Sequence, residues 1–316
     1  MKIFVGNTDW DWYEFLRDGR YSEVNFWRPG GGLLKSIAPG DLFLFKLKAA
    51  HGNKIAGGGF LVESRQMSVD WAWRAFECEN GADNLVELGE RIGRYRNDDR
   101  IDMLTAQIGC IILTDVFWLN EDEWFSAPNY AGAIVVGKTY DTDDPKTAGD
   151  ARWLFEQVQA RLQGKLVLPD ADDDAASGAP AIPSGYKLGL SKRRVGQGVF
   201  RMRVADAYGR RCAVTGERTF PVLQAAHIRS FAEDGPNAVD NGLLLRSDVH
   251  TLFDAGYLTV TDDLRVEVSA RLHDDWENGR EYYALHGRPL AVVPDVPSLR
   301  PAREFLDWHH EHVFRG

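Results

Sequence analysis

The stretch "PDADDDAASGAPAIPSG", residues 169–185, limits what this chain can fold into more than any other. Its acidic repeats, small residues and three prolines cannot bury enough apolar surface to offset the entropy of ordering them. Such a segment reads as a linker between separately folded parts. We therefore expect a domain over residues 1–165, a flexible acidic and proline-bearing linker over 166–186, and a second domain over 187–316. A hydrophobic content of 44%, with 10 Trp and 16 Phe, is enough to give each side its own core.

Upstream of the break, "MKIFVGNT", "GDLFLFKLK", "KIAGGGFLVES" and "IGCIILTDVFWL" have the β-branched and aromatic content of strands. "WDWYEFLRDG" and "TAGDARWLFEQVQARLQG" have helical spacing, the second with Trp153, Val158 and Leu162 on neighbouring turns. Gly57, Gly58 and Gly59 inside a strand pattern predict a bulge or a close backbone approach. The class is α+β. No apolar run approaches the roughly 20 residues that span a bilayer. The start reads as a strand rather than a secretory signal. Cys78, Cys110 and Cys212 form neither a disulfide framework nor a CxxC pair, so a reducing cytoplasm is the expected compartment.

Downstream, "GQGVFRMRVADAYGRRC" predicts a helix with Phe200, Val204 and Tyr208 on one face. "CAVTGE" reads as a strand entering a turn, "VLQAAHIRSF" as a strand, and "LLLRSDVHTLFDAG" as a helix closed by Gly256. A hairpin, "YLTVTDDLRVEVS", and a terminal helix with Pro301 near its first turn follow. The net charge of −10 argues against a nucleic-acid partner, but its distribution does not. Ten Lys or Arg lie between Lys187 and Arg229, opposed only by Asp206 and Glu217, so that stretch carries +8. It fits a phosphate-binding stripe, and equally a solvated helix face.

Within this second part, His227 is on a strand, and a helix carries His250 and Asp254 at i and i+4, on one face and close enough to share a cation. An imidazole and a carboxylate suit a divalent metal. A histidine across from that pair would take the proton of an attacking water. Asn241, in the loop between, would bridge backbone groups and hold the strand histidine. The alternative is an ordinary hairpin and helix with two surface histidines. The terminal His309, His310, Glu311 and His312 read as the end of a packed helix, where the dipole favours cationic side chains.

The order of strand histidine, loop asparagine and helix histidine resembles the HNH nucleases, whose site is a ββα-metal fold. "GQGVFRMRV", "CAVTG", "AAHI", "DNGLLLRSDVHTLFDAG" and "FLDWHHEHVF" together look like the bacterial restriction-associated HNH subfamily. The resemblance covers about residues 190–316. It implies a metal-dependent endonuclease acting on double-stranded DNA, with His227 as general base and Asn241 as orienting residue. It also implies His250 and Asp254 as ligands of Mg²⁺ or Mn²⁺. Many relatives carry a metal ligand directly before the base, where this chain has Ala226. Arg193, Arg194, Gln197, Arg201 and Arg229 are the candidate contacts to the DNA backbone.

The first domain, through "VNFWRPGGGLLKSIAPGDLFLFKLKAAHGNKIAGGGFLVES", looks like the PUA-like superfamily, small β-barrels with flanking helices that include EVE and ASCH domains and resemble SRA domains. This resemblance spans roughly residues 1–160 and implies a reader that flips a modified base into an aromatic pocket. Trp10, Trp12, Phe26 and Trp27 are the candidates for its walls. The leading expectation is a modification-dependent DNA endonuclease, whose one site per chain would need either two chains, as a homodimer, or two encounters for double-strand cutting. The mark itself is left open among methylated, hydroxymethylated or bulkier cytosine, methyladenine and a phosphorothioate backbone. An HNH nuclease of repair, recombination or phage defence with a different N-terminal binding domain also stays open. So does a DNA-binding regulator with a decayed centre.

Overall fold

The computed structural model describes residues 1–98, 100–162 and 196–316. The expected linker lies outside them. The described residues gather into two compact units, one before and one after that gap.

The N-terminal unit runs β1 (Lys2–Thr8), α1 (Trp10–Asp18), β2 (Glu23–Arg28), β3 (Leu42–Leu47), β4 (Ile55–Ser68), α2 (Val69–Phe76), α3 (Leu85–Arg96), β5 (Gln107–Trp118), β6 (Gly137–Asp141) and α4 (Ala148–Leu162). Its six strands pair in the order β2-β5-β4-β3-β1-β6, with β1 and β3 parallel and the other pairs antiparallel. Strand alternation divides the apolar residues between two faces. Phe4, Phe43 and Phe45 pack with Trp12, Tyr13 and Leu16 of α1, while Ile3, Val5, Leu42 and Leu44 pack with Leu154, Val158 and Leu162 of α4.

No closed barrel forms among the described residues. Among the described residues the edge strands β2 and β6 are not paired with each other, and helices cover both faces of the sheet. The helical phase of α4 also differs from expectation by one residue. Leu154, Val158 and Leu162 face inward at spacings of four, and Trp153 is 39% exposed. The glycine run behaves as its sequence predicts: β4 slips register between Gly58 and Phe60, and a Cβ at Gly57 would stand 2.5 Å from the Phe117 carbonyl oxygen.

The C-terminal unit runs α5 (Gln197–Ala207), β7 (Leu223–His227), β8 (Gly242–Arg246), α6 (Ser247–Asp254), β9 (Leu258–Val260), β10 (Val266–Val268), α7 (Arg271–Trp276), α8 (Arg280–Tyr283) and α9 (Arg303–His312). Phe200, Val204 and Tyr208 form the buried face predicted for α5 and its end. Two segments differ from expectation. "CAVTG" is a turn, in which the buried Cys212 Sγ accepts from the Thr215 and Arg246 amides. "GLLLR" is a strand, not the first turn of a helix: Leu243, Leu244 and Leu245 are all buried, and their backbone pairs with β7. The helix begins only at Ser247. The result is a ββα unit of β7, β8 and α6, the framework of the candidate site.

Candidate active site

His227 ends β7, and its ring is held on two sides. Phe200 of α5 stacks on it at 3.9 Å between centroids and 8° between planes. That stacking position exists because the ladder partner of His227 is Gly242, where a Cβ would meet Phe200 at 3.0 Å and Val204 at 2.6 Å. On the ring edge, Nε2 lies 2.7 Å from Asn237 Oδ1. An amide oxygen only accepts, so Nε2 carries the proton and Nδ1 keeps its lone pair. Burial pushes the imidazole below its usual value, and the nearby charges of Arg201 and His250 add to this. The Asn237 bond and the Asp254 carboxylate act the other way without reversing it. A neutral histidine with an open nitrogen is the form a general base needs.

Asn241 acts one step away from the ring. It is fully buried, accepts from the Arg229 amide at 2.9 Å, and donates to the carbonyls of Arg229 at 3.0 Å and Pro236 at 2.9 Å. Its own carbonyl accepts from Ile228 at 2.9 Å. These four bonds pin both ends of the loop that carries Asn237. The direct orienting contact therefore belongs to Asn237, a residue the sequence did not single out.

On α6, His250 Nε2 and Asp254 Oδ2 are 3.2 Å apart. Gln224 of β7 places its Oε1 2.8 Å from His250 Nδ1, which fixes a proton on Nδ1 and turns Nε2 toward Asp254. Two ligands at right angles with metal bonds of about 2.1 Å stand roughly 3.0 Å apart, so the pair fits adjacent positions of an octahedral ion. Among the described residues no group of three His, Cys, Asp or Glu converges as a ready-made cage. Ala226 is fully buried and on the same strand face as Gln224, whose side chain reaches His250. A divalent ion here would take its remaining ligands from water and phosphate.

Residues 212–261 match the HNH endonuclease family. This stretch is an HNH endonuclease domain. The chain is also similar to a solved structure described as "Modification dependent TagI restriction endonuclease", at 25% identity, with a TM-score of 0.27, over 37% of this chain and 38% of that one. It thus spans well under half the length of that protein. No curated protein matches the sequence.

Around the HNH centre, Arg201 bonds Gln197 at 3.4 Å and its charge reaches His227. Arg229 donates to the Glu233 carbonyl at 2.7 Å and lies over Trp308, 5.6 Å from the ring centroid. Arg193 and Arg194 lie outside the described residues. Of the terminal histidines, His309 braces α6 and β9. His309 is 2% exposed and stacks on Phe253 at 3.8 Å. Its Nε2 donates to the Phe253 carbonyl at 3.1 Å, and its Nδ1 accepts from the Thr259 hydroxyl at 2.8 Å. Burial lowers its pKa to about 4.

In the N-terminal unit, Trp12 and Trp27 line one cavity of about 160 Å³, together with Asp9, Asp11, Arg91, Arg94 and Tyr95. Trp10 and Phe26 are not among its walls. Trp10 stacks flat on His51 at 4.2 Å, and Phe26 is taken up by the core, packed on Trp12, Phe43 and Phe45. The cavity residues missed from sequence come mainly from α3, a helix whose pattern "LVELGERIGRYR" is too polar to draw notice. Its caps were the available signal: Asn84 accepts from the Glu87 amide, and Asn97 is left-handed at φ +52°. No helix among the described residues is long and apolar enough to cross a membrane.

Proposed function

We propose that the chain is a modification-dependent DNA endonuclease, its N-terminal unit reading a modified base and its HNH domain hydrolysing the phosphodiester. The arrangement of His227 carries the catalytic half of this reading: a neutral imidazole, held by Phe200 and Asn237 and open at Nδ1, in the field of the His250–Asp254 pair. HNH nucleases generally use a divalent metal, and the donor set favours Mg²⁺ or Mn²⁺, held by His250 and Asp254. When bound, such an ion would supply electrostatic stabilisation of the charge that develops on the phosphate and the departing oxygen.

The chain's own residues do the rest. His227 accepts the proton of the attacking water at Nδ1, and the Asn237 bond keeps the ring from turning while it becomes cationic. Gln224 keeps His250 in one tautomer. Exposed arginines of the basic stretch, among them Arg203 and Arg218, with Gln197, Arg201 and Arg229, contact the DNA backbone without reading sequence. Selectivity then falls to the N-terminal unit, and the aromatic and charged cavity at Trp12 and Trp27 supports a flipped-base reader there.

The test is cleavage of matched duplexes that carry each candidate modification, in Mg²⁺, in Mn²⁺ and without metal. Metal-dependent cutting confined to one modification is the expected result. Cutting of every duplex alike would remove the reader and leave the nuclease, and no cutting of any duplex with either metal would remove both.

A further inference from the structure

Val135, the most exposed large apolar side chain among the described residues, is in the N-terminal unit and is no wall of its cavity at Trp12 and Trp27. It is 84% exposed, and its neighbour Val136 57%. They end "AGAIVV", residues 131–136, a run without one polar side chain in the loop that leads into β6. Scattered exposed hydrophobics mean little, but a contiguous apolar tip marks a contact surface.

The tip is firmly held. Asn7 of β1 binds three successive carbonyls: its side chain donates to Ile134 at 2.7 Å and Val135 at 2.9 Å, and its amide to Val136 at 3.0 Å. Asn7 Oδ1 in turn accepts from the Tyr130 hydroxyl at 3.0 Å and from Lys46 Nζ at 3.3 Å. Lys46 is buried, lies over the Tyr130 ring at 4.5 Å and also donates to Asn53. Burying an ammonium is costly, and burial pushes this one below its ordinary value. The cost goes into fixing a tip whose valines face solvent.

Charge decides what meets it. Lys54 donates to the Ser126 hydroxyl at 2.8 Å and Lys138 to the Asn129 carbonyl at 2.7 Å, one on each flank of the loop. With Lys46 these are three cations around one tip, and none has a carboxylate partner among the described residues. In a chain of 47 acidic and 37 basic residues, lysines left without acids around one tip point to a polyanion. The DNA substrate of an HNH endonuclease domain is one. The tip also stands near the cavity. Asn7 is two residues, about 7 Å of extended chain, from Asp9, which lines it.

We infer that the loop over residues 131–136 is a DNA wedge, Val135 entering the base stack while Lys54 and Lys138 meet the flanking phosphates. Apolar side chains inserted between base steps unstack a duplex, and a base freed there is close to the cavity that Asp9 lines. The inference rests on the N-terminal unit being the DNA-reading half, and not on which base it reads.

The experiment uses the full chain carrying His227→Ala in EDTA, so that nothing is cut. It measures binding to a single strand, to an intact duplex, and to the same duplex with one abasic site, where the gap is already open. The parent is expected to bind the abasic duplex more tightly than the intact one. Val135→Ser, at an exposed position, should weaken abasic-duplex binding by about tenfold and erase that preference, with the single strand unchanged. Lys54→Gln should weaken both duplexes alike and lower the salt slope by about 0.9; an unchanged slope would remove Lys54 from the contact. Equal binding of the two duplexes by the parent, or a preference that survives Val135→Ser, overturns the wedge. Val135-dependent self-association in sedimentation without DNA would then give the tip to a second copy. A further arm with modified and unmodified duplexes tests the base reading by itself. If the abasic preference depends on Val135 and no modification is preferred, the wedge stands and the modification reading falls.

Discussion

Lowering the pH should unfold the HNH domain through one buried histidine. Folded His309 takes up its proton near pH 4, against an ordinary value of 6.5, because burial strips the charged ring of water. In the unfolded chain that penalty is absent. Between pH 6.5 and 4, unfolding therefore takes up a proton, so acid favours the unfolded state. The stabilisation is complete above pH 6.5 and gone near pH 4. The gap between those values is worth about 3 kcal/mol, a large share of the 5–15 kcal/mol typical of a domain. The loss falls on the site, because His309 bonds the Phe253 carbonyl, next to Asp254 on α6. Hydrogen exchange read on peptides from α6 and β9 would follow it locally. His309→Gln keeps a donor for the Phe253 carbonyl but cannot titrate, so it should be less stable at pH 7.5 and flatter across the acid range. Equal loss of α6 protection between pH 6.5 and 4 in both proteins would refute the reasoning.

Other perturbations separate the parts of the centre. His227→Ala should leave DNA binding near its starting value and lower cleavage by about 10²–10⁴-fold, measured in single turnover. EDTA should stop cleavage and Mg²⁺ or Mn²⁺ restore it, and calorimetric metal affinity should fall more with His250→Ala than with Asp254→Ala. Gln224→Ala should also weaken metal binding, by about 10–100-fold, although Gln224 is not itself a ligand. Ala226→Asp should lower stability without metal, since it buries a carboxylate, and raise metal affinity through the strand face shared with Gln224; a variant with unchanged affinity would show that position 226 does not reach the ion.

Much of the centre was legible because its signals are local. His250 and Asp254 are one helical turn apart, and the periodicity of α5 named Phe200, Val204 and Tyr208 as one face. What sequence left unread depends on pairing across the chain. Nothing near Gln224 says that β7 will lie beside α6, and nothing near Asn237 says that its loop will turn back onto His227. The strand β8 was hidden for a related reason. "GLLLR" runs straight into a helical pattern, and a short apolar run with a turn signal on its N-terminal side alone reads as either element. Only its ladder with β7 decides the matter.

Closure of the N-terminal sheet was unread for a different reason: turn and strand signals fix which segments pair locally, but not whether the last strand returns to the first. That decision is made by what covers the sheet. Here alternating strands are apolar on both faces, so each face must be covered by something else, and α1 and α4 do so. An eventual barrel would have needed one face filled by the sheet itself. The same covering helix α1 brings Trp12 and Asp11 to the cavity while Trp10, two residues before Trp12, turns out onto His51. On a helix, residues two apart do not share a face, so Trp10 and Trp12 could not both have been walls of one pocket, and the wall opposite had to come from another element. Tyr95 of α3 supplies it.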